Sequence, residues 1–320
     1  MIEAVYEKIL QAKSRIKDQV FHTPMIKSHW LTNIGNADVY LKLENEQITG
    51  SFKARGSLNK VLNLPEIQDR LLVTASTGNH AQGMARAFLL SKKKGIIFLP
   101  ENADRGKVHA LQNYQADLRF YGTDCLQTEL HAKSWAFENN AEYVSPYNDI
   151  DIIAGQGTIG IEILEQLPLM DCVFVTIGGG GLASGIATYL KTKNPKIKII
   201  GCLPENSPEM YLSVQAGEVV YLEHPKETLS DGSAGGLEKG SVTFEICEEL
   251  IDQFVLVSEE EIATNIRETL KFHHKIIEGS AAVAIAAYRK LKNELSAKKV
   301  GIVICGGNIG YEKLKSVICI

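Results

Sequence analysis

An α/β architecture is the fold class this 320-residue sequence predicts. Three observations carry it. Short, nearly continuous apolar runs rich in Val and Ile recur along the chain, as strands buried on both faces of a parallel sheet require. Between them lie longer stretches with apolar residues at helical spacing. Gly-bearing turns join the two, so the repeating unit is strand, turn, helix, which suits right-handed crossovers.

The elements follow in order. Val5, Ile9, Leu10 and Ile16 predict a helix over 4–17, a region closed by His22-Thr23-Pro24. Residues 39–43 alternate and predict a strand. Strands at 71–75, 95–99 and 118–121 are each followed by a helix, at 79–90, 104–113 and 124–139. Later strands are expected at 172–177, 197–203, 254–257 and 300–304. The stretch 216–240 is rich in Gly and charge and ends in Ser230-Asp231-Gly232-Ser233-Ala234-Gly235-Gly236. A loop of that length in a compact domain points to a nearby site. No fixed-period repeat or low-complexity tract is visible, and the pattern alone marks no domain boundary.

A net charge of -4, without clustered basic residues, argues against a nucleic-acid or anionic-membrane surface. The one basic run, Lys92-Lys93-Lys94, falls at a predicted helix end, where cations complement the dipole. Cys125, Cys172, Cys202, Cys247, Cys305 and Cys319 form no C-x-x-C pair, and Met1-Ile2-Glu3-Ala4 opens an amphipathic stretch rather than a secretory signal. Free thiols in a reducing cytoplasm are expected. No apolar run approaches the roughly 20 residues that span a bilayer. No H-x-x-x-H or H-E-x-x-H spacing occurs, so no metal ligand is assigned. Glu205, Glu209 and Asp231 share the late region and are the one set that would meet a divalent ion.

Four short segments carry the chemistry. Gly178-Gly179-Gly180-Gly181-Leu182 follows a predicted strand and opens a helix. Consecutive glycines let backbone N–H groups converge on an anion, and the helix start adds its positive end. A tight strand-to-helix turn is the plain alternative, but one or two glycines would suffice for it. Gly178, Gly180 and Ala183 also fit a loose dinucleotide fingerprint, although the expected acidic residue about 20 positions on is not distinct. Lys53, in Ser51-Phe52-Lys53-Ala54-Arg55-Gly56, sits beside a ring able to pack on a flat cofactor. Buried there, its amine would titrate low and act as nucleophile and base; exposed, it would be a solvated surface lysine. Ser76-Thr77-Gly78-Asn79-His80 leads into a helix whose first N–H groups are free for a carboxylate. Asn79 is an N-cap or a ligand to a cofactor hydroxyl, and His80 reads as a core histidine. Cys305, before Gly306-Gly307-Asn308, is a buried small hydrophobe or a weak donor to a ring nitrogen.

Taken together and in this order, the four segments resemble the fold-type II pyridoxal-phosphate enzymes, in particular the serine/threonine dehydratase and serine racemase group. The resemblance runs from Thr23-Pro24 to about residue 310, and includes Thr228-Leu229-Ser230-Asp231-Gly232. Glu278-Gly279-Ser280-Ala281 resembles the hydroxyectoine-utilisation dehydratase branch. The resemblance implies a tryptophan-synthase-β-like fold: two open twisted sheets, with pyridoxal 5'-phosphate in the cleft between them. It implies a large domain of 1–47 plus 148–320 and a small one of 48–147. Lys53 would link the cofactor, Phe52 would lie beside its ring, and Asn79 would meet its 3-hydroxyl. The backbone of Gly178, Gly179, Gly180, Gly181 and Leu182 would hold the phosphate, and Cys305 would face the pyridine nitrogen. Ser76, Thr77, Gly78, Asn79 and His80 would surround the substrate carboxylate.

The activity so implied is α,β-elimination of L-threonine or L-serine to a 2-oxo acid and ammonia, in a cytoplasmic homodimer acting on a small amino acid. Lys53 and Thr77 are the catalytic candidates. Thr77 stands where racemases place a serine, so an amino-acid racemase is an alternative, as is a lyase for a bulkier hydroxy-amino acid. Pro204 occupies the position of the family's metal-binding glutamate, with Glu205 beside it. The sequence ends near 320 without the regulatory extension of biosynthetic threonine deaminases, which implies no feedback by isoleucine. Outside the resemblance, a nicotinamide-dependent oxidoreductase using the Gly178 loop and a non-catalytic binding module are the rivals.

Overall fold

The structure, a computed structural model, describes residues 1–64, 70–222 and 226–319. Ten strands are described: β1 (Met25–Lys27), β2 (Asp38–Leu43), β3 (Leu72–Ala75), β4 (Gly95–Leu99), β5 (Asp117–Phe120), β6 (Glu142–Tyr143), β7 (Cys172–Thr176), β8 (Lys198–Pro204), β9 (Gln253–Val257) and β10 (Lys299–Ile304). They form a six-stranded sheet in the order β1-β2-β10-β7-β8-β9 and a four-stranded sheet in the order β5-β4-β3-β6. The apolar runs explain the central strands: β4 and β7 are buried at every position, as strands covered by helices on both faces must be.

The parallel reading holds for nine strands of the ten and fails at one edge. β1 pairs antiparallel with β2, Met25 opposite Lys42. The chain returns through the seven-residue helix His29–Gly35, too short for a parallel crossover. Three partly exposed residues give no apolar run to read, and the two-residue β6 escapes for the same reason. The predicted strands elsewhere are found within a residue or so of their expected ends. Within 216–240 the described residues form one 3-10 turn, Asp231–Ser233, while 223–225 lie outside the described residues.

One helix the pattern did not single out, Ile150–Gln166, organises the centre. A Cβ at its Gly155 would lie 2.5 Å from the Cα of Gly56, and one at Gly185 would lie 2.6 Å from the nitrogen of Gly157. Side chains are excluded at these crossings, so the helices Lys53–Asn63 and Gly181–Lys193 both close on it backbone to backbone. That contact brings the Lys53 helix, which also packs beside the small sheet, against the core of the large one. Among the described residues no helix is long and apolar enough to cross a membrane.

Candidate active site

The loops at the carboxyl ends of β3, β6, β7 and β10 converge, the place where open α/β sheets bind ligands. Lys53 opens its helix there. The preceding turn is pinned to the end of β10: Ser51 bridges Gly306, and the Phe52 N–H donates to the Cys305 carbonyl at 3.1 Å. The Lys53 amine donates to the Pro146 carbonyl at 2.6 Å and sits 5.2 Å from the Phe52 ring centre. Desolvation pushes it down to about 8, against the pull of Cys305 and Glu278. Among the described residues no carboxylate pairs with it, so the solvated-surface alternative for Lys53 is set aside.

Behind Lys53 lies a network that sequence reasoning missed. Arg55, two residues on, is fully buried. Its Nε and Nη2 each donate to Glu44 at 2.8 Å, and its Nη1 donates to Glu162 at 2.6 Å. Lys42, also fully buried, pairs with Glu162 and donates to the Thr23 carbonyl at 2.7 Å. Burial alone would raise the Glu162 carboxyl, but Arg55 and then Lys42 outweigh it and hold the group below its usual range. The network ties the lysine helix to β2 and to the helix Ile150–Gln166.

The Gly178 loop is closed from behind. A Cβ at Gly178 would lie 2.6 Å from the Ser233 carbonyl oxygen, and one at Gly179 would lie 2.3 Å from the Tyr147 ring. Gly180 adopts φ +89°, where only glycine is at ease. Thr243 secures the turn by donating to the Gly179 carbonyl at 2.6 Å. The helix Gly181–Lys193 starts here, with the side chain of Leu182 in the core, so the residues offer backbone N–H groups only. Such a cradle fits a phosphate, and with the desolvated Lys53 amine beside Pro146 and Tyr147, the residues present fit pyridoxal phosphate.

At the mouth of β3, Gly78 rather than Asn79 occupies the cap position, with open space beside its Cα. Ser76 accepts from the Gly78 N–H at 3.2 Å. The first N–H groups of the helix Asn79–Ser91 are unbonded within it, an anion site by position. Thr77 is half-buried and has no hydrogen-bond partner among the described residues. His80 enters by its backbone alone: its ring is buried, with Nε2 3.0 Å from the Thr74 hydroxyl, and desolvation followed by the nearby Lys53 charge holds it neutral. Cys305 is buried, and desolvation and then Glu278 push its thiol well up, so it stays protonated.

Asn79 is a bridge, not a cap. Its Nδ2 donates to both oxygens of Glu278, at 2.9 and 3.0 Å, and its Oδ1 accepts from Asn308 at 2.6 Å. Asn308 also donates to the Thr49 carbonyl at 2.8 Å. Glu278 is 4% exposed, and among the described residues no cation pairs with it. Burial pushes its carboxyl up to about 7; the Asn79 bond works against that shift and Asp231 adds to it. Glu278 went unassigned in the sequence. The readable signal was its place before Gly279-Ser280-Ala281-Ala282: a glutamate at a helix cap, which is a poor capping residue and makes no cap bond there.

Glu205, Glu209 and Asp231 do not converge. Glu205 faces Lys290, Glu209 accepts from Ser207, and Asp231 lies 3.6 Å from Lys107 and 3.3 Å from Lys313. Among the described residues no group of three His, Cys, Asp or Glu is placed to hold a metal.

The family model described as pyridoxal-phosphate dependent enzyme matches residues 16–306. This chain is a member of that family. The cofactor is therefore pyridoxal phosphate, which replaces the nicotinamide reading. The L-threonine ammonia-lyase of Thermotoga maritima is 39% identical over 98% of this chain and 77% of that one. Among solved structures, threonine deaminase isoform 2 from Solanum lycopersicum aligns with a TM-score of 0.93 at 32% identity, covering 98% of this chain and 92% of that one. Maize serine racemase aligns at 0.90 and 29% identity, covering 97% and 95%. The two-sheet pyridoxal-phosphate enzyme fold is shared throughout.

Proposed function

We propose that this enzyme eliminates water from L-threonine or L-serine, yielding a 2-oxo acid and ammonia. The observation that carries the reading is the Lys53 amine, desolvated and lowered to about 8, in a site where the end of β10 offers the protonated thiol of Cys305. The likeness to the Thermotoga threonine ammonia-lyase supports it. Pyridoxal phosphate, when bound, supplies an electron sink for the bond broken at the substrate Cα. Lys53 would hold the cofactor and, with its amine free, would take the substrate Cα proton at Nζ. Phe52 would lie beside the cofactor ring, and Asn79 would meet its 3-hydroxyl. Cys305, held as a neutral thiol, would face the ring nitrogen and offer it no carboxylate, which suits loss of a β-hydroxyl. The backbone of Gly178 to Leu182 holds the phosphate, and the N–H groups at Asn79 and His80, with Ser76, Thr77 and Gly78, hold the carboxylate. The Cα proton and the β-hydroxyl leave as water, and hydrolysis of the remaining enamine gives the oxo acid and ammonia.

The reading includes a small domain of 48–147 set against 1–47 plus 148–320, and a homodimer in the cytoplasm, which its six free cysteines suit. Thr77 supports a second reading: a hydroxyl at the carboxylate site that would return a proton, as a racemase requires. Purified enzyme with L-threonine should release 2-oxobutanoate and ammonia in equal amounts. If L-serine or L-threonine is inverted with no oxo acid formed, the dehydratase reading fails and the racemase reading stands.

A further inference from the structure

We propose that Glu278 is a positioning residue for the cofactor: it orients the Asn79 amide, so that a polar chain and not Asn79 alone forms the wall beside the ring. This rests on the cofactor-binding role given to Asn79 above. The chain runs from the Thr49 carbonyl through Asn308 and Asn79 to Glu278, and its direction is fixed from both ends. A carbonyl only accepts, so Asn308 turns its nitrogen to Thr49 and, with its second hydrogen, to the oxygen of Asn79. The nitrogen of Asn79 then faces Glu278, which must accept. Besides Asn79, its carboxyl is met by the backbone N–H of Asn308, a member of the same chain of amides. Glu278 makes no helix cap bond, and among the described residues it forms no ion pair. A Cβ at Gly306 would lie 2.4 Å from its Oε1, so the end of β10 leaves room for this carboxyl and little else. A buried carboxyl without a cation is destabilising; its retention beside Asn79 points to the site.

The groups facing Glu278 are few. Asn79 stands on the helix Asn79–Ser91, and Lys53 and Cys305 stand at the ends of the lysine turn and β10. Asp231 approaches from the loop and Lys107 from the helix Arg105–Gln112. Burial raises its proton affinity, and as an acid it still offers one oxygen to Asn79 and holds a proton on the other.

In Glu278→Gln an amide replaces the acceptor. The remaining oxygen still accepts from the Asn79 nitrogen, but the second of the two bonds is lost and an N–H group is set against it. The test is the affinity of the cofactor-free enzyme for pyridoxal phosphate, read by absorbance and independent of any substrate. Glu278→Gln is expected to weaken binding on the order of tenfold. Asn79→Ala should weaken it at least as much, and Glu278→Gln/Asn79→Ala no further than Asn79→Ala. Glu278→Asp, which keeps the charge but withdraws it from Asn79, should match Glu278→Gln and serves if that variant does not fold. Additive losses in the double variant, or unchanged affinity in the single ones, would overturn the proposal. A wild type that binds pyridoxal phosphate but leaves L-threonine untouched would sink the dehydratase reading and leave this measurement intact.

Discussion

Glu162 and Glu278 are both buried carboxylates near the start of the Lys53 helix, and their surroundings drive them in opposite directions. Glu162 meets Arg55 and Lys42, and its carboxyl is held below its ordinary value of 4.5. Glu278 meets an amide, and its carboxyl is pushed up to about 7. The first group is neutralised and fastens the lysine helix to the large sheet. The second is a charge left unpaid inside a ligand cleft, and titrating groups of that kind gather where chemistry is done. Burial by itself therefore does not tell scaffold from site; the partner does.

The largest effect is expected in the network. Arg55→Ala strips both carboxylates of their shared partner and should cost about 3–5 kcal/mol, read by denaturant unfolding of the cofactor-free protein. A loss below about 1 kcal/mol would mean that water enters and the network is not tight.

Next comes the pH dependence of Glu278. Its folded pKa lies above the ordinary 4.5, so its favourable contribution is complete below that value and is lost as pH rises through about 7. Glu278→Gln should remove that loss and stand on the order of 3 kcal/mol more stable, relative to wild type, at pH 8 than at pH 4.5. Glu162 runs the other way. Its lowered pKa contributes above 4.5 and fades as pH falls below it, so Glu162→Gln should destabilise at neutral pH and less in acid. Parallel pH profiles for the two variants would break the comparison.

The third effect is on Lys53. Only the neutral amine adds to the cofactor's aldehyde, so the rate of cofactor uptake should rise about tenfold per pH unit and level off above about 8. A rate that keeps rising about tenfold per unit beyond about pH 9 would show that the amine is not desolvated. The smallest effect belongs to Asp231. Its pairs with Lys107 and Lys313 are exposed, so Asp231→Asn should change stability by less than about 1 kcal/mol. It should also move the Glu278 transition to lower pH, since Asp231 helps hold that carboxyl up.

The α/β class, most strands and four converging segments were legible because each is a local pattern. A glycine run ending a strand, or a lysine beside a ring, announces itself within six residues. Arg55 and Glu278 do not, because what defines them lies more than 100 residues away: Glu162 for the one, Asn79 for the other. Asn308 stood inside a noticed segment, yet its partners Thr49 and Asn79 lie in the first quarter of the chain, more than 200 residues away. β1 and β6 were missed for a different reason: they are too short to carry a period, and pairing with a neighbour makes them strands.

The contrast between the two acids is tested most directly by infrared difference spectroscopy, cofactor-free wild type against Glu278→Gln, from pH 5 to 9. A protonated carboxyl band present at pH 5, half gone near pH 7 and missing from Glu278→Gln is the predicted result. No such band at any pH would mean that Glu278 is ionised throughout, as Glu162 is, and would contradict the account.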